Sequence, residues 1–242
     1  MKNLDKLSTI ALAVILIACG TDDSTPTTPE ICSPTSGSLT AHYPLNGNAN
    51  DATSSTNHGT VTSPVAAKDR KDKDNSAYLF NGTDDIITIP DSDQLSLSEE
   101  FTISVWVNPN EVKTQEIVRK GIGSTGSGKT SYAITMSGSA DIIFSISTDG
   151  SETFFSLRNP GYTKDSWYLI TGVVYNEQMY LFLNGELVQS REITGSPVND
   201  DNVLQIGTRL RLPSDTFSGV IDDLRIYNYA LCKEEILALY NE

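Results

Sequence analysis

The sequence predicts an all-β protein, two antiparallel sheets packed face to face with one short helix at the C-terminal end. Three observations carry this. Apolar and polar residues alternate with period two in one segment after another, the signature of strands with one buried face. Turn dipeptides punctuate those segments at short intervals: Asn81-Gly82, Asp149-Gly150, Pro160-Gly161 and Asn184-Gly185. The last alternating segment, Val220 to Tyr227, has no strand after it, so it must pair far back in the chain, and Leu39 to Leu45 is the best partner. About 200 residues carrying roughly a dozen short strands suit one domain with a substantial core, and no internal repeat of 20 to 50 residues stands out.

Taken in order, the chain opens with Lys2 and Lys6, an apolar run from Ile10 to Ala18, and Cys19. This is the layout of a secretory signal peptide, too short to span a bilayer. Leu16, Ile17, Ala18 and Cys19 match the lipobox of bacterial lipoproteins, so residues 1–18 are expected to be removed and Cys19 acylated. Such an anchor holds stably because it supplies more than two membrane-binding signals. Asp22 and Asp23 beside it resemble the surface-export signal of Bacteroidetes lipoproteins, which implies a lipid-anchored protein of the outer membrane facing the exterior. Residues 19–37 are rich in Ser, Thr and Pro with almost nothing apolar, the composition of an extended tether.

The domain then runs from 38 to 242. Leu39, Ala41, Tyr43 and Leu45 alternate with Thr40, His42 and Pro44. Further strands are expected in Tyr78 to Pro90, Phe101 to Pro109, Ser131 to Met136, Trp167 to Tyr175, Met179 to Val188 and Leu204 to Thr208. In the second of these, Phe101, Ile103, Val105 and Val107 form one apolar face, with Thr102, Ser104 and Trp106 on the other. Phe80, Tyr168, Ile170, Tyr180, Phe182 and Ile206 are expected to be buried or half-buried. The last strand has Val220, Asp222, Leu224 and Ile226 on one face, against Ile221, Asp223, Arg225 and Tyr227. A helix follows, with Leu231 and Ile236 placed as a hydrophobic staple and Glu235 as the third residue of a capping box.

The order and spacing of LTAHYPL, YLFNGTDDIITIP, FTISVWVNP, WYLITGVVY, MYLFLNGELV, LQIGT and IDDLRIYNYAL resemble a LamG-like jelly roll of the concanavalin A-like superfamily, over Leu39 to Glu242. The resemblance implies neighbouring first and last strands, which brings Cys32 near Cys232. Once Cys19 is lipidated, these two cysteines stand in an oxidising compartment. They are either a disulfide, stabilising by a few kcal/mol, or two unrelated thiols. It also implies a structural Ca2+ where the terminal strands meet, with Asn48, Asp51 and Asp222 as ligands. Calcium takes oxygen ligands, and Asn46 to Asp51 is a Gly-bearing loop of amides and carboxylates. The alternative is a turn whose Asn and Asp side chains bond their own backbone.

Function follows less directly, because this sandwich hosts many activities. The resemblance, on a surface lipoprotein, implies noncatalytic binding of an extracellular polysaccharide or glycoprotein. Sugar recognition needs an aromatic face for C–H stacking, ringed by planar polar groups. Trp106, Tyr132, Arg119, Arg158, Arg209 and Arg211 are the candidates. The alternatives are adhesion to a protein partner and glycan cleavage. The last has little support: the E-x-D-x-E spacing of paired carboxylates does not occur, Glu99-Glu100 and Glu234-Glu235 are adjacent pairs, and His42 and His58 lack triad neighbours. A net charge of -14 argues against nucleic acid and against an anionic membrane surface. Gly123 to Thr130 matches G-x-x-x-x-G-K-[ST], but Ser131 to Met136 then alternates as a strand. No phosphate-cradling helix follows, so nucleotide binding is not expected.

Overall fold

A computed structural model describes residues 37–97, 99–121, 130–148, 154–209 and 213–242. Among them are fifteen strands: β1 (Leu39–Tyr43), β2 (Thr60–Thr62), β3 (Val65–Ala67), β4 (Ala77–Asn81), β5 (Ile86–Ile89), β6 (Phe101–Pro109), β7 (Gln115–Gly121), β8 (Thr130–Met136), β9 (Asp141–Ser147), β10 (Phe154–Pro160), β11 (Tyr168–Tyr175), β12 (Gln178–Leu183), β13 (Glu186–Glu192), β14 (Leu204–Ile206) and β15 (Ser218–Tyr227). One helix, α1 (Lys233–Asn241), follows. The strands form two antiparallel sheets. The first has the order β13-β12-β11-β6-β15-β4-β3, and the second has the order β10-β9-β8-β7-β14-β5-β2. Thr130 begins a strand, as a hairpin reading of the preceding segment requires; residues 123–129 of the phosphate-loop match lie outside those described.

β15 is the central strand of the first sheet. One edge pairs with β6; the other pairs with β4 through Ser218 to Ile221 and with β1 through Leu224 to Tyr227. The predicted pairing of terminal strands is therefore present, but the strict alternation predicted along β15 is not. A bulge interrupts the β6 register between Asp222 and Arg225, and Asp223 sits at φ 49°. Aspartate tolerates this left-handed conformation better than most residues. Ile221 is in the core before the bulge, and Leu224 and Ile226 are in it afterwards, so two consecutive aspartates turn away from the core.

The core lies between the sheets, where Phe101, Phe144 and Tyr132 meet edge-on or tilted. Gly172 on β11 has no side chain because a Cβ there would stand 2.5 Å from the Phe144 ring. Asn184 and Gly185, both at positive φ, make the two-residue turn joining β12 to β13, a conformation that matches strand twist.

A second apolar cluster lies on the outer side of the first sheet. Val173, Tyr180, Phe182 and Tyr227 are covered by Leu231 and Ile236 of the helix start. The staple is formed as predicted. The Cys232 backbone N–H donates to Glu235 Oε2 at 2.7 Å, the reciprocal half of the capping box. Cys232 is in disulfide form; Cys32 lies outside the described residues.

Candidate functional site

The outer face of the first sheet beyond α1 concentrates chemistry. Trp106 on β6 points out because Val105 and Val107 point into the core. It is 5% exposed, packed edge-on by Trp167 with ring centres 6.5 Å apart and stacked by Tyr240 of α1 at 5.7 Å. The Arg70 guanidinium lies 4.6 Å from the Trp106 ring centre. The predicted platform is thus a support, and the rings that reach solvent are its neighbours: Trp167 is half-buried and Tyr240 is 38% exposed.

Asp222 stands opposite Trp106 across the β15–β6 pair. Arg70 Nη1 donates to Asp222 Oδ2 at 3.1 Å. Burial, and the neighbouring Asp223 charge, push the Asp222 carboxyl up to about 7 against the pull of Arg70. Asp223 goes the other way. Burial alone would raise it, but hydrogen bonding with His42 Nε2 at 2.8 Å and two bonds from Arg225 at 3.0 Å hold it below the usual carboxylate range. Arg225 Nη1 also donates to Glu242 Oε1 at 3.1 Å, tying the end of the chain to β15.

The predicted calcium ligands are engaged separately. Asp51 accepts four hydrogen bonds, from the backbone N–H groups of His42, Thr53 and Asn57 and from Thr53 Oγ1. Burial would raise its carboxyl, but these bonds hold it low. Asn48 Oδ1 accepts the Asn50 N–H within its own loop, while Asp222 faces Arg70. Among the described residues, no group of three or more His, Cys, Asp or Glu side chains is arranged to hold a metal. The Asn48 and Asp51 side chains bond backbone groups of their own segment, as in a self-bonded turn. Stripping divalent cations with EDTA tests the expected calcium: a lowered Tm supports the ion, and an unchanged Tm supports the self-bonded turn. An ion present at a hundred times its Kd stabilises by about 2.7 kcal/mol, so its removal would lower Tm by several degrees.

The remaining glycan candidates do not converge. Tyr132 is fully buried, its hydroxyl donating to the Leu95 carbonyl, because β8 alternation turns it inward. Arg119 and Arg158 share the outer face of the second sheet. Arg119 is 5% exposed and grips Glu116 with two bonds of 3.0 and 2.8 Å. Arg209 lies 4.0 Å from both Glu116 and Asp215; burial, with Arg119 nearby, lowers its pKa. Arg158 is exposed, 3.5 Å from Asp141. Arg211 lies outside the described residues. A separate groove of about 710 Å3 between β1 and the Asp93 to Glu100 segment is lined by hydroxyls and by Asp93, Glu99 and Glu100, without an aromatic ring.

A model of the Laminin_G_3 family, described as the concanavalin A-like lectin/glucanases superfamily, matches residues 81–237. The chain belongs to the Laminin_G_3 family. Curated relatives of this Laminin_G_3 domain include usherin of Rattus norvegicus, 25% identical over 152 residues, and adhesion G-protein coupled receptor V1 of Danio rerio, 26% identical over 150 residues. Those matches cover 60% and 59% of the chain but only 3% and 2% of the relatives' lengths. Similar solved structures include domain 4 of AbnA, an extracellular arabinanase of Geobacillus stearothermophilus, in complex with arabinotriose. It has a TM-score of 0.67 and 22% identity, and the match covers 85% of this chain and 100% of that one. The botulinum neurotoxin serotype D ligand-binding domain in complex with N-acetylneuraminic acid has a TM-score of 0.65 at 19% identity, covering 84% and 50%. At these identities the likeness concerns the Laminin_G_3 fold alone.

Proposed function

We propose that the chain is a noncatalytic glycan-binding module. The observation that carries this is the ring cluster on the first sheet: Trp167 and Tyr240 are held by Trp106 at the surface, with the Arg70 guanidinium beside them. Rigid rings next to a planar donor suit the alternating C–H and hydroxyl faces of a sugar. Family membership and the arabinotriose-bound and sialic-acid-bound neighbours support the reading, and several neighbours are named as binding domains. A polysaccharide screen by affinity gel on the mature chain tests it. Retardation by one glycan class without release of reducing ends is expected; cleavage would make the protein an enzyme. The second reading, adhesion to a protein partner, draws on the likeness to an adhesion receptor. It takes over if the whole panel fails to bind.

We further propose that Cys19 carries a lipid anchoring the module to the outer membrane, facing out, and that Cys32 pairs with Cys232. The lipobox at Leu16 to Cys19 supports the first, and the disulfide form of Cys232 supports the second. Cys19→Ser is expected to release the protein from membranes, with no thiol titrating in the unfolded, unreduced product. Continued membrane retention contradicts the anchor, and two free thiols contradict the pairing.

A further inference from the structure

We propose that the ligand is an extended, uncharged glycan chain that lies across the strands of the first sheet, from Trp167 to Val65. This rests on the glycan-binding reading. The helix α1 covers the β11–β12 region of the outer face and, through Tyr240, Trp106 of β6, and leaves the Asn108 end of β6, the first half of β15, β4 and β3 uncovered. Across that open surface the register sets a transverse row: Asn108 opposite Val220, Val220 opposite Leu79, Leu79 opposite Val65. β11 begins at Tyr168 opposite Val107, so a further step puts Trp167 beside Asn108. Because Val107, Ile221 and Phe80 point into the core, the row faces out.

The row is a ring followed by aliphatic surface. Val65 is 59% exposed, and Leu79 and Val220 are half-buried. Polar groups border it on both sides. One border is the Arg70–Asp222 pair, and the other is Asn110, Ser218 and Asn81 in the adjacent row. A sugar chain has the same cross-section, C–H faces edged by hydroxyls. Between Trp106 and the open end, Asn108 Oδ1 is buried and accepts no hydrogen bond. A buried acceptor without a donor is costly, and a turn of the half-buried Asn108 amide toward the face lets a ligand hydroxyl satisfy it where a hydrocarbon does not.

Extent and charge narrow the class. Four inter-strand steps from Trp167 to Val65 span about 19 Å, a length for an oligosaccharide rather than one sugar. At the Val65 end the row runs into a cavity of about 400 Å3 whose lining includes Asn81, Asp84 and Asp85. Carboxylates there, on a chain of net charge -14, repel uronates and sulfated sugars.

The test uses the mature chain with arabinan, xylan and mixed-linkage glucan against polygalacturonate, then with oligosaccharides of one to six units from whichever polymer binds. Expected are binding to a neutral polymer, affinity that grows with length beyond the disaccharide, and about tenfold weaker binding in Val65→Asp and in Asn108→Leu. Val65 is on the surface, so its variant leaves the fold intact; matched circular dichroism and Tm check both variants. Equal affinity for mono- and hexasaccharide, preference for polygalacturonate, or unchanged affinity in Val65→Asp overturns the strip. If Trp167→Ala still abolishes binding in that case, the glycan-binding function stands without it. No binding to any polymer overturns both.

Discussion

Arg70→Ala is expected to lower the unfolding free energy by about 2 kcal/mol at pH 8 and by roughly 1 kcal/mol at pH 5. Arg70 is the cation facing Asp222, a carboxylate 4% exposed that also feels the charge of Asp223. With Arg70 removed, Asp222 is left buried without its cation and moves higher still, so above pH 7 it costs free energy either to stay ionised or to take up a proton. The pH dependence follows from the sign of the shift. A carboxyl raised from near 4 in the unfolded chain to about 7 in the folded protein binds its proton more tightly when folded. Its ionisation therefore opposes folding. The penalty is absent below about pH 4, grows by up to roughly 1.4 kcal/mol per pH unit, and is complete above about pH 7. At pH 5 the folded protein holds Asp222 neutral, and Arg70 matters mainly through its contact with Trp106. Urea titrations of both proteins at the two pH values measure this. An equal loss at both would mean that Arg70 acts by packing alone.

Trp167→Ala is expected to weaken binding of the glycan found in the screen by tenfold or more, about 1.4 kcal/mol. Tyr240→Ala should do the same to a lesser degree, since Tyr240 stacks on Trp106 and is the more exposed ring. The groove near β1 provides the competing site, so Glu99→Gln and Glu100→Gln serve as controls. Titration calorimetry decides: loss in the aromatic variants with intact controls puts the sugar on the first sheet. The reverse pattern puts it in the groove.

Much of the fold is legible in the sequence. Alternation and turn dipeptides locate strands locally, and the two-residue turn at Asn184-Gly185 needs positive φ that its residues supply. What local pattern cannot report is which face of an apolar strand meets which neighbour. Tyr180 and Phe182 read as core, and are buried, but under the helix rather than between the sheets. The bulge at Asp223 escapes notice because an aspartate pair in an alternating run gives no count of which residue is extra.

The site is less legible, for the same reason at longer range. Trp106 stands out as a ring on the polar face of β6, yet its burial depends on Trp167 and Tyr240, 61 and 134 residues further along the chain. Arg70 sits in the charged run Lys68 to Asp74; nothing nearby hints that it reaches Asp222, 152 residues on. Asp222 suggests a metal ligand by its oxygens, and the guanidinium that meets them leaves no trace in the local pattern. Tyr132 and Arg119 fail as surface candidates because residue type says little about exposure when the strand is central.

The placement of β15 has a consequence for how the protein is made. Thr40 bonds to Ile226 across 186 residues, and both β1 and β4 wait for the same strand. Until residue 227 has been synthesised, the middle of the first sheet is missing and the edges of β1, β4 and β6 have no partner. Closing so long a loop is slow, and a chain in that state exposes strand edges prone to pairing with other chains. A nascent chain of this topology cannot complete its first sheet before β15 is made. In that interval the open edges of β1, β4 and β6 are the places where pairing with another chain would begin.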